Sequence, residues 1–235
     1  MLIFIGYVHG EFNELTHQLA NNNISNSTFI QVGDFGVGFK RKENENRQLD
    51  QLNNRLKADG NVMYVIRGNH DDPAYFNGLG QFAYSNLIFL RDYSLLEVEG
   101  KKILLVGGAI SIDRSSRVLN NSYWKEEVFV FNESLLEKAI GKCDHLDIVV
   151  THGTPAEFHP SEIGPLVFEW ASYDPHLITE LKKERYKHSL LMNVLIGKKL
   201  KPRFWYYGHY HFSYQGNFQG IRYKILNCSE FFEHK

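Results

Sequence analysis

The chain has 235 residues, of which 43% are hydrophobic, 14% aromatic and 23% charged. A chain of this size buries roughly 70–75% of its unfolded surface without staples, and its composition excludes a disordered or coiled-coil protein. The net charge of −1, from 26 Lys+Arg against 27 Asp+Glu, leaves no basic excess for general nucleic-acid binding.

The chain opens on Leu2-Ile3-Phe4-Ile5, a short β-rich run that fits a buried strand and stops at Gly6. It lacks a basic leader, and neither this run nor any later one is long enough to span a bilayer. The expected location is the cytoplasm, away from membranes. Cys143 and Cys228 are too few for a disulfide framework; they fit a reducing compartment and read as core residues. From Glu11 to Ala20, Phe12, Leu15 and Leu19 recur at helical spacing. Thr28 to Val32 reads as a strand, Asn44 to Ala58 as a helix with Leu49, Leu52 and Leu56 on one face, and Val62 to Ile66 as a third strand. This alternation predicts βαβ units and a parallel sheet.

Leu87 to Leu90, Ser94 to Val98 and Lys102 to Val106 are closely spaced strand-like runs, the last two joined by a Gly100-Lys101 hairpin turn. Asn132 is placed to cap a helix over Glu133 to Ile140. Leu146 to Val150 reads as a strand, Pro175 to about Leu195 as a helix and Phe204 to Tyr207 as a strand. Phe212 to Tyr214 and Ile221 to Leu226, linked through Gly216 to Gly220, predict a terminal hairpin. With no repeat, low-complexity tract or linker, residues 1–235 read as one α/β domain with too many strands for a single sheet.

Histidine carries the functional signal, with 11 in the chain. Five strand-like runs end in small polar motifs: Gly6-Tyr7-Val8-His9-Gly10, Gly33-Asp34-Phe35-Gly36, Gly68-Asn69-His70-Asp71, Thr151-His152-Gly153 and Gly208-His209-Tyr210-His211. Any one of them alone is an ordinary turn or a hydrogen-bonded loop histidine. Together they place imidazole, carboxylate and amide oxygen at one edge of a sheet, where α/β proteins bind ligands. Imidazole suits Zn, Mn, Fe or Ni, whereas carboxylate and carbonyl suit harder divalent ions. A carboxylate such as Asp34 can bridge two ions about 3.5–4 Å apart, the clamp used in phosphoryl hydrolysis.

The order of these motifs resembles the calcineurin-like metallophosphoesterase superfamily, whose pattern runs G-D-x-H, G-D, G-N-H-[DE], H and G-H-x-H. The match spans residues 6 to 211, and its GNH and GHxH segments are the most specific. The resemblance implies a four-layer sandwich of two mixed β-sheets flanked by helices, with the metal site at the strand C-terminal ends. It places His9, Asp34 and His211 on a first metal, and Asp34, Asn69, His152 and His209 on a second. His70 then faces the substrate as general acid or oxyanion stabiliser. Val106-Gly107-Gly108-Ala109 with Ser111-Ile112-Asp113-Arg114 also looks like small bacterial and phage members, although Asp113 and Arg114 suit a loop ion pair equally well.

The implied activity is hydrolysis of a small phosphorylated substrate by a hydroxide that bridges two divalent ions and attacks phosphorus in line. Mn²⁺ is the favoured ion, with Fe, Zn or Ni compatible. Lys40, Arg41 and Lys42 follow the second motif within reach of a phosphate, but read rather as a solvated basic face. The chain departs from the pattern twice. Val37 stands where the Ser/Thr phosphatase branch places a second aspartate, which argues against that branch. Tyr7 stands where the family places a metal-binding aspartate. A phenol with a pKa near 10 is a poor ligand for Mn²⁺ or Zn²⁺, so the first site is expected to be partly filled or empty. The rival reading is a pseudoenzyme that binds a phosphorylated ligand or a partner. A purely structural zinc protein is disfavoured by the lack of clustered cysteine pairs.

Overall fold

The computed structural model describes residues 1–39, 43–78 and 83–235. Lys40, Arg41 and Lys42, singled out above as a basic face, lie outside the described residues. The predicted elements form with their ends displaced by no more than two residues, except the first strand of the terminal hairpin. They are β1 (Leu2–Ile5), α1 (Phe12–Asn21), β2 (Thr28–Gln31), α2 (Glu45–Ala58), β3 (Val62–Val65), β4 (Leu87–Phe89), β5 (Ser94–Val98) and β6 (Lys101–Val106). The second half holds α3 (Glu133–Ile140), β7 (Ile148–Thr151), α4 (Pro165–Ala171), α5 (Leu177–Gly197), β8 (Phe204–Tyr207), β9 (Tyr214–Phe218), β10 (Ile221–Ile225) and β11 (Phe231–Glu233).

Two mixed sheets result. One has the order β11-β1-β2-β3-β4 and the other β5-β6-β7-β8-β10-β9. The inner strands of both are parallel, and β11, β5 and β9 run antiparallel at the edges. Strand alternation explains how they stack. Leu2, Phe4, Ile30, Val32 and Ile66 of the first sheet meet Ile103, Leu105, Ile148, Val150 and Tyr206 of the second in a shared apolar layer. The opposite faces carry Ile3, Ile5, Phe29 and Met63 against α1 and α2, and Leu104, Val149 and Trp205 against α3 and α5. This is the expected four-layer α/β/β/α sandwich. Helices α1, α2 and α3 each offer one apolar stripe: Phe12, Leu15 and Leu19; Leu49, Leu52 and Leu56; Leu136 and Ile140.

Three local readings are corrected. The terminal hairpin begins at Tyr214 rather than Phe212, and Gly216 lies inside β9 opposite Tyr223 rather than in the turn. Helix α4 had its signal in Pro165, a proline at the first helical turn, and β11 in the short Phe231-Phe232 pair. Cys143 is half-buried against the second core and Cys228 is exposed, so neither is fully buried. Val37, by contrast, is fully buried in the core beneath α1 and α2.

One side chain braces the loop after β2. The Asp71 carboxylate is completely buried and accepts the backbone N–H groups of Phe35, Gly36, Val37 and Gly68 at 2.6–3.3 Å. Burial pushes its carboxyl up to about 6, with Asp34 adding to the rise, while the Gly68 and Gly36 amides oppose it. Asp71→Ala strands these four donors, and an unsatisfied buried amide costs about 1–3 kcal/mol. We expect a loss of about 3 kcal/mol, a drop of roughly 6–12 °C in Tm for a chain of this size. Calorimetry showing an unchanged Tm would mean the loop does not need this anchor.

Candidate metal centre

All five polar motifs converge at the carboxyl ends of the parallel strands β1, β2, β3, β7 and β8. The tight approach shows in the backbone. A Cβ on Gly68 would lie 2.1 Å from Asp34 Oδ1, so only glycine lets the third motif reach the second. His9 (φ 51°), Asp34 (φ 55°), His209 (φ 69°) and His211 (φ 58°) all occupy the left-handed region. Non-glycine residues held there cost of order 1–3 kcal/mol each and cluster at functional sites.

Asp34 sits at the centre, 1% exposed. Its Oδ1 accepts the His70 backbone N–H at 2.8 Å and lies 3.2 Å from His152 Nε2. Asn69 Oδ1 is also 3.2 Å from that nitrogen. His152 Nδ1 donates to the Val32 carbonyl at 2.8 Å, which aims Nε2 at the two oxygens. Ser111 orients Asn69 in the same manner, because the amide nitrogen donates to its hydroxyl at 3.1 Å and Oδ1 is thereby turned inward. The donor atoms of Asp34, His152 and His209 lie within 4.8 Å of one another. A second set within that limit is His9, Asp34 and His70, and a third is His9, His211 and Cys228.

The electrostatics suit metal ligation. Burial lowers the imidazoles of His9, His209 and His211, leaving them neutral, the form that binds metal. For His152 burial acts in the same direction, but the Asp34 carboxylate outweighs it and raises the ring. Burial would raise Asp34, yet the surrounding imidazoles, His152 foremost, hold it well below the usual carboxylate range. Among the described residues the buried His9 Nε2 has no hydrogen-bond partner. A buried carboxylate, inward amide oxygen and neutral imidazoles with an orphaned nitrogen fit divalent ions.

His70 lies beside this group, its ring stacked on Phe39 at 4.5 Å between centroids. Burial pushes it down to about 4, which keeps it neutral. Neither Asp71 nor Asp72, its neighbours in the sequence, orients it. Asp71 serves the backbone amides, and Asp72 caps a short helical turn at Ala74. The partner is Arg117, which sequence reading missed. Its Nη2 lies 2.7 Å from His70 Nε2, and its Nη1 donates to Ser111 Oγ at 2.7 Å. Asp113 pairs with Arg117 at 2.7 Å rather than with Arg114, which instead holds Asp174 and Glu180.

Tyr7 is fully buried. Its ring stacks on His211 with centroids 4.6 Å apart and meets His9 edge-on at 5.1 Å. Burial, with Cys228 and Asp34 nearby, pushes the phenol far above its ordinary value. Its hydroxyl donates to Asn227 Oδ1 at 3.3 Å. The ring fills the space beside the first ligand set. A cavity of about 560 Å³ opens from Asp34, Asn69, His70 and His211 and extends along Ile112, Leu166, Val167, Trp170 and Phe212.

No curated protein matches the chain significantly. Among solved structures it is similar to phosphopantetheinyl hydrolase from Mycobacterium tuberculosis, at 11% identity over 97% of this chain and 90% of that one, with a TM-score of 0.47. It is similar also to a putative 5'-nucleotidase from Staphylococcus aureus, at 13% identity over 97% of this chain and 48% of that one, TM-score 0.46. A Saccharomyces cerevisiae serine/threonine phosphatase with similarity to human PP5 aligns at 14% identity over 96% of this chain and 66% of that one, TM-score 0.39. A model of the calcineurin-like phosphoesterase family matches residues 2–213, which takes in every motif from Tyr7 to His211, and the chain belongs to that family.

Proposed function

We propose that the protein hydrolyses phosphate esters of small molecules, with divalent ions held at the strand ends. Its family is one of phosphoesterases that generally use a divalent metal pair. When bound, such a pair activates water and stabilises charge on the transferring phosphoryl group. One observation carries the reading: the oxygens of Asp34 and Asn69 each lie 3.2 Å from the His152 Nε2 nitrogen. We assign Asp34, Asn69, His152 and His209 to one ion, with Mn²⁺ favoured by its oxygen donors. His9, Asp34 and His211 serve the other.

His70 and Arg117 border the cavity where the ester would lie. Arginine only donates, so His70 Nε2 accepts from Arg117 and the ring carries its own proton on Nδ1. His70 therefore acts as a hydrogen-bond donor to the phosphate, and Arg117 adds a cation fixed against Ser111 and Asp113. The apolar wall of Leu166, Val167 and Trp170 receives the leaving group, which favours an ester with an apolar or aromatic body. Among the described residues no helix is long and apolar enough to cross a membrane. The buried Tyr7 ring favours a second reading, a binding protein without turnover; hydrolysis of an aryl phosphate in added Mn²⁺ separates the two.

Two outcomes are expected. His152→Ala removes a ligand whose two nitrogens are both committed, so the purified variant should lose one ion equivalent by elemental analysis while remaining folded. Unchanged metal content would remove His152 from the ligand set. His70→Asn should lower kcat by roughly 10²–10⁴, the range for groups that assist at the reacting atoms, with metal content intact. Loss of an ion from that variant would instead make His70 a ligand alongside His9 and Asp34.

A further inference from the structure

The first ligand set is one anionic donor short of the family pattern, because Tyr7 replaces the aspartate. The phenol does not take its place. Its hydroxyl turns to the loop between β10 and β11, where it donates to Asn227 Oδ1 at 3.3 Å. That loop carries Cys228, whose sulfur lies within 4.8 Å of the donor nitrogens of both His9 and His211. We propose that Cys228 is the anionic ligand of the first metal site, joining His9 and His211 where the aspartate is absent. This rests on the phosphoesterase reading above and names what completes its weaker site.

The geometry is within reach of what an ion requires. Metal–nitrogen bonds of about 2.0–2.1 Å and metal–sulfur bonds of about 2.3 Å put neighbouring donors of a tetrahedral site roughly 3.3–3.6 Å apart. The three donors, all within 4.8 Å of one another, therefore close by no more than about 1.5 Å to reach that spacing. Among the described residues the buried His9 Nε2 has no hydrogen-bond partner, an independent sign that this nitrogen is free to take an ion.

The loop is held in place from several sides. Gly6 N donates to Glu230 O and Ser229 N to Tyr7 O, each at 3.0 Å. Asn227 N donates to Glu230 Oε2 and Cys228 N to Asn227 Oδ1, each at 2.8 Å. The approach is so tight that a Cβ on Gly6 would fall 1.8 Å from the Asn227 carbonyl oxygen. Cys228 is thus presented by a braced loop, with its side chain open to solvent for an ion to enter.

A thiolate restores the negative charge lost with the aspartate but changes the metal preference. Soft sulfur with two imidazoles suits Zn²⁺, Fe or Co²⁺ better than Mn²⁺. The two halves of the centre then differ in kind, an oxygen-rich site beside a sulfur-bearing one.

The test is Co²⁺ titration of the chelator-stripped full chain, followed by absorption and metal analysis. The expected result is two bound equivalents and a near-ultraviolet thiolate-to-cobalt charge-transfer band. In Cys228→Ser the band should vanish and the weaker equivalent should bind at least about tenfold less tightly, the lower end of what losing even a supporting partner costs. The other equivalent, at Asp34, Asn69, His152 and His209, reports that the variant is folded. Adding Tyr7→Asp to Cys228→Ser should recover the lost equivalent without the band. Two equivalents in the unmodified chain with no thiolate band, or unchanged affinity in Cys228→Ser, overturns the assignment and leaves the phosphoesterase reading standing. Failure of Tyr7→Asp to recover the ion also overturns it, since the loss then came from the loop rather than the ligand. Absence of any bound Co²⁺ overturns both readings.

Discussion

The site depends on burying one carboxylate. An ion taken out of water is costly unless its surroundings compensate, and Asp34 is 1% exposed. The compensation ties the strand ends together. Its backbone carbonyl accepts Val8 N and His9 N at 2.9 and 3.0 Å, joining the second motif to the first. Its side chain receives the His70 amide from the third and faces His152 from the fourth. Loops from four strands are thus registered against one residue. The left-handed backbone of His9, Asp34, His209 and His211 is strain that this arrangement can hold because each residue is fixed by its neighbours.

The same economy explains the rings around it. Several imidazoles crowded about one anion cannot all be charged, and burial lowers His9, His70, His209 and His211 while Asp34 raises only His152 on balance. Orientation then decides what each neutral ring can do. Val32 O fixes His152, and Arg117 fixes His70. Ser111 serves twice, turning the Asn69 amide and anchoring Arg117, and its own N–H is held by the buried Glu127 at 2.8 Å. The loop after β6 is therefore part of the centre, although none of its side chains is assigned as a ligand.

The sandwich was legible because its information is local: short continuous apolar runs buried on both faces, helices with one apolar stripe, and glycine at or just past the end of each motif-bearing strand. The grouping of Asp34, His152 and His209 followed from strand order, since consecutive parallel strands deliver their ends to one edge. Arg117 was not legible, nor were the roles of Ser111 and Cys228. They come from segments outside the strand-end motifs, and nothing local distinguishes Arg117 from Arg114, three residues earlier, which ties the same loop to Asp174 and Glu180. The Cys228 reading failed for a related reason. A lone cysteine has no periodic signature, and its position depends on β11 pairing antiparallel with β1, a strand of three residues that the sequence signals only weakly.

That pairing also explains why Tyr7 is tolerated. An aspartate at position 7 would present its carboxylate directly from the end of β1. A tyrosine there needs room for a ring and a partner for a buried hydroxyl. The ring finds room flat against His211, and the hydroxyl finds Asn227 in the segment that returns beside β1. The family match ends at residue 213, before this segment begins. The substitution inside the conserved pattern is therefore met by residues outside it: the terminal hairpin and β11 carry Asn227 and Cys228 back to the strand end that lost its carboxylate. A change that looks like a defect when the first motif is read alone becomes half of a paired arrangement once the C-terminal segment is folded against it.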